Sequence, residues 1–367
     1  MKIGVIGCGN ISSIYLKNLT SLFSNTEVYA VADIDAQKAQ NAKNAFPVKC
    51  VMTVDEMLAC EQIELILNIT TPPFHYSICK QILLANKHAY VEKPLSLTYA
   101  QGKELVELAK SKGLYLGCAP DTFLGAGIQT CKKLIHDGKI GKVIGGVGFM
   151  MCRGHESWHP SPEFYYDLGG GPLFDMGPYY LTALVTLLGK VKSVFCYADK
   201  AFEERTITSK PKFGKKIPVV VDTHVVGLLK FECGAIITLT TSFDVASHTM
   251  PKIELYGTQG SIIVPDPNIF GGPVKVSSLE NRAFSEVDLI SPYFENSRGI
   301  GISETILAIE ENRPNNASGE LALHVLEVME SLIASSNERR EIMLESTLPT
   351  PTNLDWSVEI GKLKTLK

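Results

Sequence analysis

The first 118 residues alternate short apolar runs with segments whose apolar residues recur every three or four positions. The apolar runs predict buried strands, and the periodic segments predict amphipathic helices. The predicted strands are Lys2–Ile6, Glu27–Asp33, Glu64–Ile69, His88–Glu92 and Leu114–Cys118. The predicted helices between and after them start near Ile11, Ala36, Thr53, His75 and Leu97. This alternation is typical of a parallel, doubly wound α/β sheet with right-handed crossovers.

The pattern changes near Ala119-Pro120, beyond which longer β segments dominate. These segments are Val143–Cys152, Val191–Tyr197, Val219–Phe231, Ala235–Phe243, Lys252–Tyr256 and Ser261–Val264. Helical periodicity is found in Gly125–Asp137, Pro172–Leu188, Ser303–Asn312 and Gly319–Asn337. We therefore expect an N-terminal domain over residues 1–119 and a C-terminal α+β domain over residues 120–367. The second domain is predicted to contain a large, mainly antiparallel open sheet.

A glycine turn joins the first predicted strand to the first predicted helix, with the sequence Gly7-Cys8-Gly9-Asn10-Ile11-Ser12. Gly7 permits a tight turn, and Gly9 has no side chain to keep a pyrophosphate from the backbone. The free N–H groups and the helix dipole then favour the bound phosphates. Ser12 stands where a third glycine is usual, and its small side chain still allows close packing. The stretch predicts a dinucleotide-binding Rossmann domain.

Asp33 ends the second predicted strand, about 20 residues beyond the glycine turn, which is the spacing of a carboxylate that binds a ribose hydroxyl. A carboxylate there repels a 2′-phosphate, and no arginine stands beside it. We therefore expect NAD as the cofactor, with Ile34 next to Asp33 in the same site. The alternative is that Asp33 caps the helix beginning at Ala36.

Composition and charge exclude several classes of protein. The net charge of −4 and the lack of a concentrated basic patch argue against a nucleic-acid partner. No apolar run is long enough to cross a membrane, and the N-terminus lacks the pattern of a signal peptide. The nine cysteines are dispersed and form no C-x-x-C pair. Such a set favours reduced thiols, and we expect a cytoplasmic protein.

The stretch from Asn68 to His75 lies at the carboxyl end of a predicted parallel strand, where open α/β sheets bind ligands. We expect it to line the nicotinamide side of the cofactor through Thr70, Thr71, Pro72 and His75. The alternative is an ordinary turn between strand and helix.

A second stretch, Glu92-Lys93-Pro94, also follows a predicted strand. Pro94 disfavours the helical conformation at Lys93, so the lysine has a defined direction. Near an oxidised nicotinamide, the neighbouring positive charge would lower the lysine pKa and make Lys93 a proton carrier. Glu92 belongs to the same predicted site. The alternative is a surface lysine paired with Glu92.

A third stretch has a triple glycine, Gly169 to Gly171, before a helix that carries Asp175 and Tyr179. These two residues are four apart and therefore lie on one helix face. A tyrosine hydroxyl beside a lysine and a carboxylate can share a proton with a substrate hydroxyl. The alternative for Tyr179 is a buried aromatic residue whose hydroxyl is hydrogen-bonded.

These motifs, taken in order, resemble those of the glucose–fructose oxidoreductase/inositol dehydrogenase/rhizopine catabolism family. The resemblance rests on the glycine turn, Thr71–His75, Glu92–Pro94, Gly169–Tyr179 and Gly319–Glu327. It covers nearly the whole chain and implies a nicotinamide-dependent oxidoreductase of sugars or polyols. It also implies that Lys93 is the catalytic proton carrier.

The sequence departs from this family at two places. Many members have a histidine where this chain has Tyr179, which resembles the branches of glucose–fructose oxidoreductase and dihydrodiol dehydrogenase. Asp121 stands where relatives often have arginine or asparagine, and we expect it to accept hydrogen bonds from sugar hydroxyls. A further group after the first long strand of the second domain is expected to form the substrate wall: Arg153, His155, Trp158 and His159.

Trp158 is expected either to stack on a pyranose ring or to lie in the core. His155 and His159 have no third ligand spaced with them, so no metal site is predicted. The preferred function is NAD-dependent oxidation of a hydroxyl of a sugar, polyol or glycoside, with pyranose C3 as the specific hypothesis. Two alternatives are an NAD-dependent glycosidase that works by oxidation and elimination, and an inactive sugar or NAD sensor. We expect a homo-oligomer, dimeric or larger, formed through the open sheet.

Overall fold

The computed structural model describes residues 1–366, which form two compact units. The first unit contains Met1–Ala126, Ile290–Leu326 and the segment from Thr347 onward. The second contains Gly127–Leu289 and Glu327–Ser346. Each unit is therefore built from separate stretches of the sequence. The predicted division at residues 119 and 120 stays a prediction.

The sheet of the first unit has six parallel strands in the order β3-β2-β1-β4-β5-β6. The strands are β1 (Lys2–Ile6), β2 (Glu27–Ala32), β3 (Cys50–Val51), β4 (Leu65–Asn68), β5 (His88–Val91) and β6 (Leu116–Cys118). All four residues of β4 are buried, so both faces of the sheet are covered. The order reverses between β1 and β4, which confirms the predicted doubly wound sheet.

Nine α-helices occur among the described residues. They are α1 (Ser12–Ser21), α2 (Ala36–Ala45), α3 (Val54–Ala59), α4 (Pro72–Leu84), α5 (Tyr99–Ser111), α6 (Ala126–His136), α7 (Gly171–Leu188), α8 (Ile300–Glu310) and α9 (Gly319–Glu338). Thr53 and Glu56 form the capping box of α3, in which each side chain binds the other residue's backbone N–H. Helix α2 is capped by the Asp35 side chain, which accepts the Gln37 N–H at 3.0 Å.

The second unit contains a nine-stranded sheet in the order β16-β15-β14-β13-β7-β12-β11-β8-β17. Its strands are β7 (Val143–Met151), β8 (Val191–Asp199), β11 (His224–Phe231), β12 (Ile236–Ser242), β13 (Ile253–Gly257), β14 (Gly260–Val264), β15 (Val274–Ser278), β16 (Ser285–Val287) and β17 (Ile342–Met343). A separate pair is formed by β9 (Glu204–Thr206) and β10 (Lys216–Pro218). In the nine-stranded sheet only β7 and β12 run parallel, which confirms a mainly antiparallel sheet.

Several predicted boundaries differ from the structure, among them the starts of α4, β11 and α8. Strand β11 begins at His224 and not at Val219. The N–H groups of Val219 and Val220 donate to the carbonyl oxygens of Glu203 and Tyr166 and not to a neighbouring strand of the sheet. Helix α8 begins at Ile300 and not at Ser303, after a glycine N-cap in the left-handed region.

Alternation along the strands leaves an apolar face of the nine-stranded sheet open. In register, Val226 lies opposite Tyr197 and Leu228 lies opposite Phe195, so these side chains share one face. The large exposed members of this open sheet face are Tyr197, Val226, Leu228, Ile236 and Tyr256. On the other side α7 packs against β7, β11 and β12. Among residues 1–366, no helix has the length and apolar character needed to cross a membrane.

Candidate functional site

The turn between β1 and α1 has the geometry of a phosphate-binding loop. Gly7 has φ of +104°, and a Cβ added there would lie 2.7 Å from the Ile69 carbonyl oxygen. A Cβ added to Gly9 would meet nothing within 4 Å, so the backbone is open on that side. The Ser12 hydroxyl donates to the Gly9 carbonyl at 2.6 Å. The residue that replaces the third glycine therefore stabilises the loop.

The N-terminus of α1 is open to a ligand. The N-cap, Ile11, provides no side-chain hydrogen bond, and no acidic residue occupies the first turn. An uncapped helix start keeps N–H donors and the positive end of the dipole available to an anion. Asn10 and Ile11 are exposed beside it. This geometry suits the pyrophosphate of a dinucleotide.

Asp33 connects the end of β2 to the glycine loop. Its Oδ2 accepts the Cys8 N–H at 2.6 Å, and its Oδ1 accepts the Asp35 N–H at 2.8 Å. Burial and the Asp33 charge raise the pKa of the Cys8 thiol to about 11, so the thiol is neutral. Ile34 is fully exposed, which leaves an apolar side chain next to the carboxylate. A ribose hydroxyl and an adenine ring fit these two groups.

The end of β4 is organised by Asn68, which is completely buried. The Asn68 Oδ1 accepts the Thr70 hydroxyl at 2.7 Å and the Thr70 N–H at 3.2 Å. Thr71 is the N-cap of α4 and Pro72 its first residue, and the Thr71 side chain makes no capping bond. A second helix start at this edge of the sheet therefore lacks a side-chain cap.

His75 lies inside the first unit with no exposed surface. Its Nδ1 is 2.7 Å from the Pro94 carbonyl oxygen, and its Nε2 is 3.0 Å from the Thr70 carbonyl oxygen. Burial lowers the pKa of His75, which favours the neutral ring. The imidazole thus links the turns that follow β4 and β5.

The turn after β5 holds Lys93 by its backbone. The Glu92 Oε2 accepts the Lys93 N–H at 2.9 Å, while the Tyr15 hydroxyl donates to Oε1 at 2.7 Å. The Lys93–Pro94 peptide is cis, and His75 contacts the Pro94 carbonyl. Glu92 is therefore bound to its own turn and to α1, and the Lys93 side chain begins from a fixed backbone.

Asp121 has structural partners in the first unit. It is 1% exposed, and its Oδ2 accepts the N–H groups of Gly299 at 2.8 Å and Gly301 at 3.1 Å. These contacts cap the first turn of α8. Burial raises the pKa of Asp121 to about 6. The Asp121 carboxylate is therefore buried and bonded to backbone N–H groups, and it is not exposed toward a sugar as expected.

In the second unit, Asp175 and Tyr179 lie on α7. Gly169 and Gly171, at the start of the helix, both have φ of +82°, a conformation that glycine adopts without strain. Tyr179 is 9% exposed and Asp175 is half-buried. The Asp175 Oδ2 lies 3.6 Å from the Nε2 of His155, which follows β7. The structure therefore brings His155 and Asp175 together.

The loop over residues 152–170 carries an aromatic group that is partly exposed. Trp158 is 61% exposed and Phe164 is 55% exposed, so Trp158 is not a core residue. His159 packs edge-on against both of their rings. Arg153 lies over the Phe202 ring, 4.9 Å from its centroid. Exposed rings of this kind offer flat apolar surface to a ligand.

This loop is anchored by Arg205, which the sequence analysis missed. Arg205 is 4% exposed and donates to the Glu156 carboxylate at 3.0 Å, to the Phe243 carbonyl at 2.9 Å and to the Asp244 carboxylate. Tyr166 donates to the other oxygen of Glu156. No local motif marks Arg205, because its partners are 38 to 52 residues away in sequence.

Among residues 1–366, no cluster of three or more His, Cys, Asp or Glu side chains is arranged to hold a metal ion.

Two family models match the chain. Residues 1–119 match an oxidoreductase family with an NAD-binding Rossmann fold, and residues 128–263 match the GFO/IDH/MocA C-terminal domain. An uncharacterised oxidoreductase of Schizosaccharomyces pombe is 33% identical over 202 residues, which are 53% of this chain and 53% of that protein. The chain thus spans about half the length of that relative.

Two further similarities cover nearly the whole chain. Myo-inositol 2-dehydrogenase of Thermotoga maritima is 23% identical over 350 residues, covering 95% of this chain and 100% of that protein. The crystal structure of an NAD-binding oxidoreductase from Klebsiella pneumoniae has a TM-score of 0.83 at 20% identity, with 95% and 99% coverage. The latter similarity establishes the shared fold.

Proposed function

The chain belongs to the GFO/IDH/MocA oxidoreductase family, and from this premise we propose that it oxidises a hydroxyl of a sugar, polyol or glycoside. NAD bound to the first unit would accept the hydride. The pyranose C3 carbon is the specific position proposed. The observation that carries the proposal is the turn at Lys93, whose backbone is fixed by Glu92 and whose next residue contacts His75.

The residues of the glycine loop fit the cofactor. Gly7 and Gly9 let a pyrophosphate approach the start of α1, and Asp33 accepts ribose hydroxyls. Asp33 already holds the Cys8 N–H, so its position relative to the loop is fixed. A 2′-phosphate would meet a carboxylate, and NADP is therefore disfavoured. Thr70, Thr71 and Pro72 belong to the nicotinamide side of the proposed site.

Oxidation of an alcohol requires the hydroxyl to lose its proton as the hydride leaves carbon. Lys93 and Tyr179 are proposed to handle that proton. Lys93 starts from a turn that three hydrogen-bonding side chains brace: Glu92, Tyr15 and His75. A braced backbone fixes the point from which the Lys93 side chain extends, which favours a positioned acid or base over a mobile surface charge.

The aromatic group of the 152–170 loop supports a sugar-like substrate. Trp158 exposes most of its surface, and aromatic faces pack against the C–H groups of pyranose rings. Arg153 and His159 are proposed as polar contacts for the hydroxyl groups. The relative from Thermotoga maritima is named for the oxidation of a cyclic polyol, which is the same class of substrate.

A screen of sugars, cyclic polyols and glycosides with NAD tests the proposal. Reduction of the nicotinamide, followed by absorbance, should occur with at least one pyranose-type compound and should be slower with NADP. Release of an aglycone without net NADH would favour the glycosidase mechanism. Tight NAD binding with no turnover of any compound would favour the sensor and contradict the proposal.

The open sheet face is proposed as the contact between copies of this chain. Leu228 and Val226 expose apolar side chains at neighbouring positions of β11, with Tyr197 beside them. Light scattering at micromolar concentration should give a dimer or a larger homo-oligomer, and a monomer would contradict this.

All nine cysteines are free thiols, which suits the proposed cytoplasmic location.

A further inference from the structure

A buried hydrogen bond joins helix α1 to the turn that carries Lys93. Tyr15 lies near the start of α1 and is completely buried. The Tyr15 hydroxyl donates to the Glu92 Oε1 at 2.7 Å, and the Glu92 Oε2 accepts the Lys93 N–H at 2.9 Å. The two oxygens of one carboxylate therefore connect α1 to the backbone of Lys93.

This connection joins two turns that the sheet does not place side by side. Strand β4 lies between β1 and β5, so the turns after β1 and β5 do not follow neighbouring strands. His75 links the turns after β4 and β5 through the carbonyl oxygens of Thr70 and Pro94. Tyr15, on the helix that follows β1, provides the corresponding link from α1 to the turn after β5.

The Tyr15 phenol is a hydrogen-bond donor at physiological pH. Burial, with the nearby charges of Glu92 and Asp121, raises the pKa of Tyr15 well above its usual value, so the phenol stays protonated. A hydrogen bond from a hydroxyl to a carboxylate is stronger than one between neutral groups. The other nearby carboxylate, that of Asp121, accepts the N–H groups of Gly299 and Gly301 through its Oδ2.

A second buried tyrosine in the same unit provides a direct comparison. Tyr90, on β5, is also completely buried, but its hydroxyl has no hydrogen-bond partner among residues 1–366. The two side chains are the same in type and in burial, and they differ in what the hydroxyl contacts. A change to phenylalanine therefore removes an unpaired oxygen at Tyr90 and the donor to Glu92 at Tyr15.

We propose that Tyr15 is a positioning residue that acts through Glu92 to fix Lys93 relative to the glycine loop. NAD is held by its pyrophosphate at the start of α1, and Lys93 is the proposed proton carrier, so turnover requires a constant distance between these two elements. A displacement of about 1 Å at a reacting group can cost about 10²-fold in rate. All three residues belong to the first unit. This inference rests on the proposed function.

The first experiment measures the lysine turn without any substrate. Hydrogen exchange of the Lys93 amide would be followed by NMR in the whole protein. In Tyr15→Phe this amide should exchange about tenfold faster, because Glu92 loses the hydroxyl that holds it. The Ala89 amide, in β5, should keep its rate, and Tyr90→Phe should leave both amides unchanged. An unchanged Lys93 rate in Tyr15→Phe, or an equal rise at Lys93 and Ala89, would overturn the proposal.

The second experiment uses a sugar that reduces NAD in the screen above. Tyr15→Phe should lower kcat by about 10- to 100-fold, because Lys93 is no longer fixed at its position. The dissociation constant of NAD should stay close to that of the wild type, whereas general damage to α1 would weaken NAD binding as well. Tyr90→Phe, the matched control, should behave as the wild type in both measurements. An unchanged kcat in Tyr15→Phe would overturn the positioning role.

A double-mutant cycle tests whether Tyr15 acts through Glu92. Glu92→Ala removes the carboxylate that contacts both Tyr15 and the Lys93 N–H. Addition of Tyr15→Phe to Glu92→Ala should therefore cause little further loss of kcat, so the effects of the two substitutions should not be additive. Fully additive effects on the activation free energy would contradict an action through Glu92.

The outcomes separate this inference from the proposed function. If Lys93→Ala abolishes turnover while Tyr15→Phe keeps both kcat and the Lys93 exchange rate, the positioning role is wrong and the proposed function stands. If no compound reduces NAD, the proposed function fails, and the exchange experiment still decides whether Tyr15 holds the lysine turn.

Discussion

The β1–α1 edge of the first unit and the 152–170 loop of the second are stabilised in different ways. In the first, the Gly9 carbonyl accepts the Ser12 hydroxyl, three residues away, and the Cys8 N–H donates to the Asp33 carboxylate, 25 residues away. The second is held by a buried arginine that binds Glu156, 49 residues away, and Asp244, 39 residues away. Hydrogen bonds to backbone groups therefore hold the β1–α1 edge, whereas ion pairs with a buried arginine hold the 152–170 loop.

The two regions also differ in surface. Around Asp33 the backbone donates to a carboxylate and leaves space for phosphates and ribose. The 152–170 loop instead exposes rings, with Trp158 at 61% and Phe164 at 55%. A cofactor site needs polar groups in fixed positions, and a substrate-specific site needs a complementary shape and apolar surface. The comparison predicts that substitutions in the two regions will affect different measurements.

Lys93→Ala is expected to have the largest effect on catalysis. Loss of the proton carrier should reduce kcat by about 10²–10⁴-fold, because general acid–base assistance typically contributes that much. NAD affinity should persist, since the lysine does not hold the pyrophosphate. Steady-state rates and a cofactor titration measure the two effects. Lys103→Ala, an exposed lysine on α5, is the matched control. Near-normal turnover in Lys93→Ala would contradict the assignment.

Arg205→Ala should weaken the second region and leave the first intact. Removal of the arginine leaves Glu156 and Asp244 buried without their cation, which costs about 3–5 kcal/mol of unfolding free energy. Urea unfolding followed by circular dichroism measures the change. Arg282→Ala, on an exposed loop, should change stability by less than about 0.5 kcal/mol. If Arg205→Ala also lowered the free energy of unfolding by less than about 0.5 kcal/mol, the loop would not depend on this ion-pair network.

The pH dependence of stability reports on Asp121. Its pKa is raised by burial from 3.8 to about 6, so the folded state binds this proton more tightly than the unfolded state. The contribution of Asp121 to the free energy of unfolding is therefore most favourable below pH 3.8 and is lost as pH rises through about 6. Relative to Asp121→Asn, the wild type should lose roughly 2 kcal/mol of unfolding free energy between pH 4 and pH 7. Urea unfolding at several pH values measures this difference, and a parallel course of the two proteins would contradict it.

Asp33→Ser should change cofactor choice with a smaller effect. Loss of a charged acceptor for the ribose hydroxyls should weaken NAD binding by roughly 10- to 100-fold, from a hydrogen bond of about 1.5–3 kcal/mol. NADP binding should improve, because the repulsive carboxylate is gone. Calorimetric titration with both cofactors measures the ratio. Asp35→Ser replaces the N-cap of α2 by another capping residue and should leave that ratio unchanged. Tighter NADP than NAD binding by the wild type would overturn the NAD assignment.

The sequence predicts the first region well because its signals are local. The glycine turn, the capping box at Thr53 and the alternating strands each depend on neighbours within a few residues. The predicted family resemblance, the doubly wound sheet and the mainly antiparallel second sheet are confirmed. The residue roles at Lys93, Tyr179 and Asp175 stay predictions.

The parts that sequence reasoning missed depend on distant partners. Asp121 caps α8 through Gly299 and Gly301, which are 178 and 180 residues further along the chain. Arg205 has the same character, since its partners come from other strands and loops. Burial and pairing over such distances leave no periodic pattern in the sequence. A side chain expected to face a substrate can therefore prove to be a helix cap.

The central claim is that the protein moves a hydride from a sugar carbon to NAD while Lys93 handles the proton. The most direct measurement is the mass of the NADH formed from a pyranoside that carries deuterium at every ring carbon. The account predicts one deuterium in each NADH for the wild type, formed far more slowly by Lys93→Ala. NADH without deuterium, or equal rates for the two proteins, would contradict it.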